Sequence, residues 1–106
     1  MYYSIKFKTK KKKMRTEHKE YTITAYTEDY LGLIGRINAI FSRRRISMVN
    51  FNVGPSEMER IKKFVIVIRE TEESVQKITR QMEKQVDVLE VHYHKNPHLT
   101  TMEYAS

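Results

Sequence analysis

Apolar Tyr21, Ile23 and Ala25 alternate with Thr22, Thr24 and Tyr26, and a period of two in so β-rich a composition predicts a strand over residues 21–27. The period then changes. Leu33, Ile34, Ile37, Ile40 and Phe41 recur at spacings of three and four, which predicts an amphipathic helix reaching about Arg45. Ile46 to Val53 returns to a strand pattern, and Gly54-Pro55-Ser56 reads as its breaker. Phe64-Val65-Ile66-Val67-Ile68 is apolar at every position and predicts a central strand. Thr71, with Glu72 and Glu73 behind it, offers a capping hydroxyl and then carboxylates beside the positive end of a helix dipole. Val75, Ile78 and Met82 stripe that second helix, and Val86 to Tyr93 reads as the last strand.

The order βαββαβ predicts an α+β, ferredoxin-like sandwich: a four-stranded antiparallel sheet with both helices on one face. The other face then lacks a helix. Phe64, Ile66 and Ile68 lie on one side of the central strand and Val65 and Val67 on the other, and all are apolar, which predicts a bare apolar face covered by another subunit or domain. In this topology the second strand lies at a sheet edge, where unpaired backbone invites a second chain.

A length of 106 residues allows one domain. The formal charge of +7 has the size of a nucleic-acid signature, but residues 1–20 hold eight Lys or Arg against two Glu, so the remainder is nearly neutral. Lys10 to Lys13 repel one another and stay solvated, whereas Tyr3, Ile5 and Phe7 alternate with polar residues. This basic extension, residues 1–20, reads as a polyanion-binding arm, as a plain solvated extension, or as sequence preceding a start at Met14. Its positive residues are not followed by the apolar core of a secretory signal. No stretch of about 18 apolar residues occurs, which predicts no membrane-spanning helix. Cysteine is absent, so thiol catalysis, zinc on sulfur and disulfides are excluded, and a reducing, cytoplasmic setting is the expectation.

Candidate chemistry is sparse. His92 and His94 share a strand face at a spacing of two but lack a carboxylate at matching spacing, so they read as exposed strand histidines; His98 follows Pro97. Glu72, Glu73 and Glu83 read as capping and solubility groups, and no nucleophile has a base at a suitable spacing, so no catalytic residue and no metal ligand is assigned. Gly32 stands where the first strand hands over to the first helix, a place where a glycine lets a ligand carboxylate approach the backbone. Gly35 reads as a packing residue and Gly54 as a turn residue.

Three stretches then carry a resemblance: Tyr26-Thr-Glu-Asp-Tyr-Leu-Gly-Leu-Ile-Gly-Arg-Ile-Asn-Ala-Ile-Phe-Ser-Arg-Arg-Arg-Ile-Ser47, Phe51-Asn-Val-Gly-Pro-Ser56 and Glu83-Lys-Gln-Val-Asp-Val-Leu-Glu-Val91. Together they resemble the ACT domain of the small, regulatory subunit of acetolactate (acetohydroxyacid) synthase, over residues 21–94. The resemblance implies a non-catalytic chain that binds and activates a large catalytic subunit and confers feedback inhibition by valine or related branched-chain amino acids. It implies no cofactor in this chain, with thiamine diphosphate, magnesium and FAD on the catalytic partner. It further implies a homodimer of ACT domains with the effector at the shared interface. Carried onto this sequence, the effector loop is Asp29, Leu31, Gly32, Leu33 and Ile34, facing Ser47 and Met48 of the second strand. Valine-responsive members typically carry asparagine where this chain has Asp29 and Ser47, so weak effector binding is expected. Such subunits usually continue into a second ferredoxin-like domain, and residues 95–106 are expected to be the start of one that is missing or truncated.

Two alternatives keep the fold. One is a stand-alone ACT domain sensing another amino acid. The other is an RNA-binding ferredoxin-like module, against which the third strand, Arg60-Ile-Lys-Lys-Phe-Val-Ile-Val67, offers one aromatic and no glycine where RNA recognition motifs carry a stacking platform. The expectation is therefore no nucleic-acid partner.

Overall fold

The computed structural model describes residues 17–28 and 30–97. Its elements are β1 (Lys19–Thr27), α1 (Tyr30–Arg43), β2 (Met48–Pro55), β3 (Lys62–Glu70), α2 (Glu72–Glu83) and β4 (Val88–Lys95). They form one antiparallel sheet in the order β2-β3-β1-β4, with β2 and β4 at its edges. Element types and order follow the hydrophobic pattern. The basic extension ends sooner than the charge count implies, because Lys19 and Glu20 already belong to β1, paired with Glu70 and Arg69.

Among the described residues one core lies between the helices and one sheet face. Tyr21, Ile23 and Ala25 of β1 and Phe64, Ile66 and Ile68 of β3 meet Leu33, Ile37, Ile40 and Phe41 of α1 and Val75, Ile78 and Met82 of α2. Most of these are completely buried, and each such aliphatic or aromatic side chain contributes about 1.5–3 kcal/mol relative to exposure. Phe51 packs its ring 5.7 Å from that of Phe64 and closes the β2 side.

Both helices end as their sequences dictate, though by different devices. Thr71 caps α2, its hydroxyl accepting from the Ser74 amide at 3.1 Å. At the far end of α1 the Ile46 amide donates to the Phe41 carbonyl and the Arg45 amide to the Ser42 carbonyl, both at 3.0 Å. That pair of bonds is a Schellman closure, and it sets Arg45 in the left-handed region at φ 57°.

Three expectations are corrected. Gly54 and Pro55 do not break β2, which runs through Pro55, because an edge strand tolerates a residue without an N–H. Gly35 is no packing residue: it is exposed, and a Cβ built there would meet nothing within 4 Å. The helix-free sheet face is not broadly apolar. Registered rows across it read Asn50, Val67, Thr22, His94 and then Asn52, Val65, Thr24, His92, so two half-buried valines sit among polar side chains.

Candidate functional site

The connection from β1 to α1 is only two residues long, Glu28 and Asp29, and α1 starts at Tyr30. Asp29 lies outside the described residues. The stretch Tyr30 to Ile34, which the resemblance assigns to the effector loop, is the first turn of the helix, with Gly32 as its third residue; Leu33 and Ile34 are helical as their spacing predicts, and the helix starts three residues before them. This brings the positive end of the α1 dipole to the surface at the strand-to-helix corner. Leu31 is 69% exposed, whereas Leu33 is wholly buried and belongs to the core. Ile34 is half-buried and packs on the core's edge.

The corner is tied down from two sides. The Asp87 carbonyl, in the α2–β4 turn, accepts from the Thr27 hydroxyl at 2.9 Å and from the Glu28 amide at 3.3 Å. The Asp87 carboxylate, largely shielded from solvent, pairs with the Arg36 guanidinium, two turns into α1. From β3, Lys62 places its ammonium 5.7 Å from the Tyr30 ring centre, a cation–π contact. Asp87 carries no periodicity that pattern reading detects; the one signal for it was its place in the Glu83 to Val91 stretch.

One chain does not bring the six described candidate residues together. The α1 start follows Thr27, which lies opposite Lys62, while Met48 lies opposite Ile68 and hence level with Tyr21. Tyr21 and Thr27 are six residues apart on β1, about 20 Å at the rise of an extended strand. Leu31 to Ile34 therefore sit at one end of the sheet and Ser47 and Met48 at the other. Beside Met48, Val49 forms a bulge in β2 and is 57% exposed.

No helix among the described residues is long and apolar enough to cross a membrane. Among them, too, no three His, Cys, Asp or Glu side chains converge as a metal site would require. His92 and His94 are exposed on the helix-free face, His92 with its ring 6.2 Å from Tyr26.

Residues 23–90 match the family described as the AHAS small subunit-like ACT domain, a match covering well over half the chain. The chain belongs to that family. Among curated proteins, this ACT domain is 30% identical over 71 residues to the acetolactate synthase small subunit of Mycobacterium leprae, covering 67% of this chain and 42% of that protein. It is 28% identical over 87 residues to that of Mycobacterium bovis, covering 82% and 52%. It is 30% identical over 73 residues to the chloroplastic acetolactate synthase small subunit 1 of Nicotiana plumbaginifolia, covering 69% and 16%. The chain thus spans about half the length of the bacterial relatives and far less of the plant one. Among solved structures, the acetolactate synthase small subunit of Thermotoga maritima superposes with a TM-score of 0.64 at 22% identity, covering 78% of this chain and 50% of that one. The ACT domain of the GTP pyrophosphokinase of Chlorobium tepidum superposes at 0.61 and 14% identity, covering 73% and 99%; both likenesses are of fold.

Proposed function

We propose that this ACT domain is the non-catalytic regulatory partner of a thiamine-diphosphate-dependent acetolactate synthase catalytic subunit in branched-chain amino acid synthesis. In this reading two copies join along β2 about a two-fold axis, and a branched-chain amino acid binds between the α1 start of one protomer and the β2 start of its partner. The observation that supports it is that the α1 start and the β2 start lie at opposite ends of one chain's sheet, with β2 at the sheet edge. Antiparallel pairing of two β2 edges would set the end of one strand beside the start of the other, and each α1 start beside Ser47 and Met48 of the partner subunit.

The effector's carboxylate lies toward the α1 start, where the dipole favours an anion by about 0.3–1 kcal/mol. Its ammonium takes oxygen acceptors from Asp29 and from Ser47 of the partner subunit. Asp29 also opposes binding, since two carboxylates about 4 Å apart repel by about 1–4 kcal/mol between bulk-water and surface dielectrics. Those terms are of similar size, so affinity is weak. The expected result is co-elution with the catalytic subunit, a rise in its activity, and calorimetric binding of valine, leucine or isoleucine in the millimolar range. Asp29→Asn tightens that binding roughly tenfold, about 1.4 kcal/mol, and Gly32→Asp abolishes it by placing a charge at the carboxylate's position. A chain that neither co-elutes with nor activates the catalytic subunit overturns the regulatory role. An Asp29→Asn dimer that binds none of the three amino acids overturns the pocket.

A further inference from the structure

Asp87 is remote in sequence from the effector corner, yet it contacts both of the corner's arms. Its carbonyl holds the end of β1 through the Thr27 hydroxyl and the Glu28 amide, and its carboxylate holds α1 through Arg36. The residue is itself fixed by a tight turn, in which the Gln85 amide donates to the Met82 carbonyl and the Val88 amide to the Gln85 carbonyl, both at 3.1 Å. A two-residue connection between a strand and a helix leaves few torsions to set the angle between them, so a group that bonds both arms at once constrains that angle in addition to the packing of the buried α1 stripe. Among the described residues Asp87 does so. Thr27 is completely buried and the Asp87 side chain only 17% exposed, so these bonds are shielded from competing water, whereas Arg36 reaches in from a half-exposed position.

We propose that Asp87 and Arg36 form a positioning pair that fixes the direction in which the α1 start is presented to the effector, without touching the effector. This rests on the effector reading above and deepens it: the affinity of the corner is set in part from the α2–β4 turn. The side-chain bond can be removed while the main-chain bonds from Asp87 remain, since the carbonyl survives any substitution. That separates aiming of the helix from closure of the strand end.

The test uses the full chain, Arg36→Gln, Asp87→Asn, and the charge swap Arg36→Asp with Asp87→Arg. Amide exchange without ligand is expected to quicken at least tenfold over residues 28–34 in the single variants, with β1 and β3 interiors unchanged, and to return toward normal in the swap. Valine affinity is expected to fall at least fivefold in the single variants and to recover to within twofold in the swap. Unchanged exchange at 28–34, quickening that spreads equally through β1 and β3, or valine affinity equal to that of the parent chain overturns the proposal. A parent chain that binds none of valine, leucine and isoleucine overturns the effector reading and the positioning role with it. The two failures are distinct, because only the second appears in the unsubstituted protein.

Discussion

Arg45 occupies the position in the α1 closure that glycine usually fills, at φ 57°. A side chain in this left-handed region costs about 1–2 kcal/mol. Glycine would relieve that but is itself entropically costly by about 0.5–1 kcal/mol, and the lost cation at a helix C-terminus forfeits about 0.3–1 kcal/mol where exposed. These terms nearly cancel, so Arg45→Gly is expected to change stability by no more than about 1 kcal/mol in urea denaturation, with an unchanged m-value. A larger loss would show that Arg45 holds a partner worth more than its strain. Tyr21 gives a residue-scale pH dependence. Burial, reinforced by the nearby Glu72 carboxylate and by Tyr93, pushes its phenol above the usual value of 10. The Tyr93 ring meets that of Tyr21 edge-on at 6.0 Å, and its hydroxyl donates to Glu72 at 3.3 Å. The native state therefore keeps the Tyr21 proton at a pH where the unfolded chain releases it. This contribution is complete below pH about 10 and is lost as pH rises through the native value. Tyr21→Phe is expected to flatten the fall in melting temperature above about pH 10; an unchanged alkaline limb would contradict the shift.

At the scale of elements, what was legible in the sequence was whatever repeats. Alternation in β1 and the apolar run of β3 located the central strands, and the stripe from Leu33 to Phe41 located α1, because burial on one face imposes those periods. Thr71 announced α2, since a capping hydroxyl acts within three residues and needs no tertiary context. Features set by neighbours were not legible. Gly54 and Pro55 look like a breaker in isolation, and only the edge position of β2 makes them compatible with a strand. Val65 and Val67 promise an apolar face, and only the register shows Asn50, Asn52, Thr22 and Thr24 alongside them. The site divides the same way. Gly32 and Leu31 lie at the surface corner as the strand-to-helix handover implies, but Leu33 had to be core because it falls in line with Ile37 and Ile40. The Asp87 tie joins residues up to 60 positions apart and leaves no local trace in the sequence.

At the scale of the whole molecule, the two edges of the sheet are not equivalent. β4 pairs with β1 along its length and is backed by α2, whereas β2 ends its helix side with half-buried Met48, Phe51 and Val53. The β2 edge also carries exposed Val49 on a bulge, apolar surface that a lone edge strand would be expected to mask with charge. Joining two such edges about a two-fold axis would pair the outer backbone groups of both strands, extend the four-stranded sheet to eight strands, and cover both valines. An isologous contact of this kind doubles the effect of any substitution within it, because each change appears twice. Val49→Lys would place two like charges at that contact while leaving each core intact, since Val49 is 57% exposed in the single chain. At micromolar concentration the parent chain is expected to sediment at twice its 12.8 kDa mass. Val49→Lys should sediment as the monomer, with the circular dichroism of the parent. A parent chain found only at 12.8 kDa would remove the dimer, and with it the route by which Ser47 and Met48 reach the α1 start.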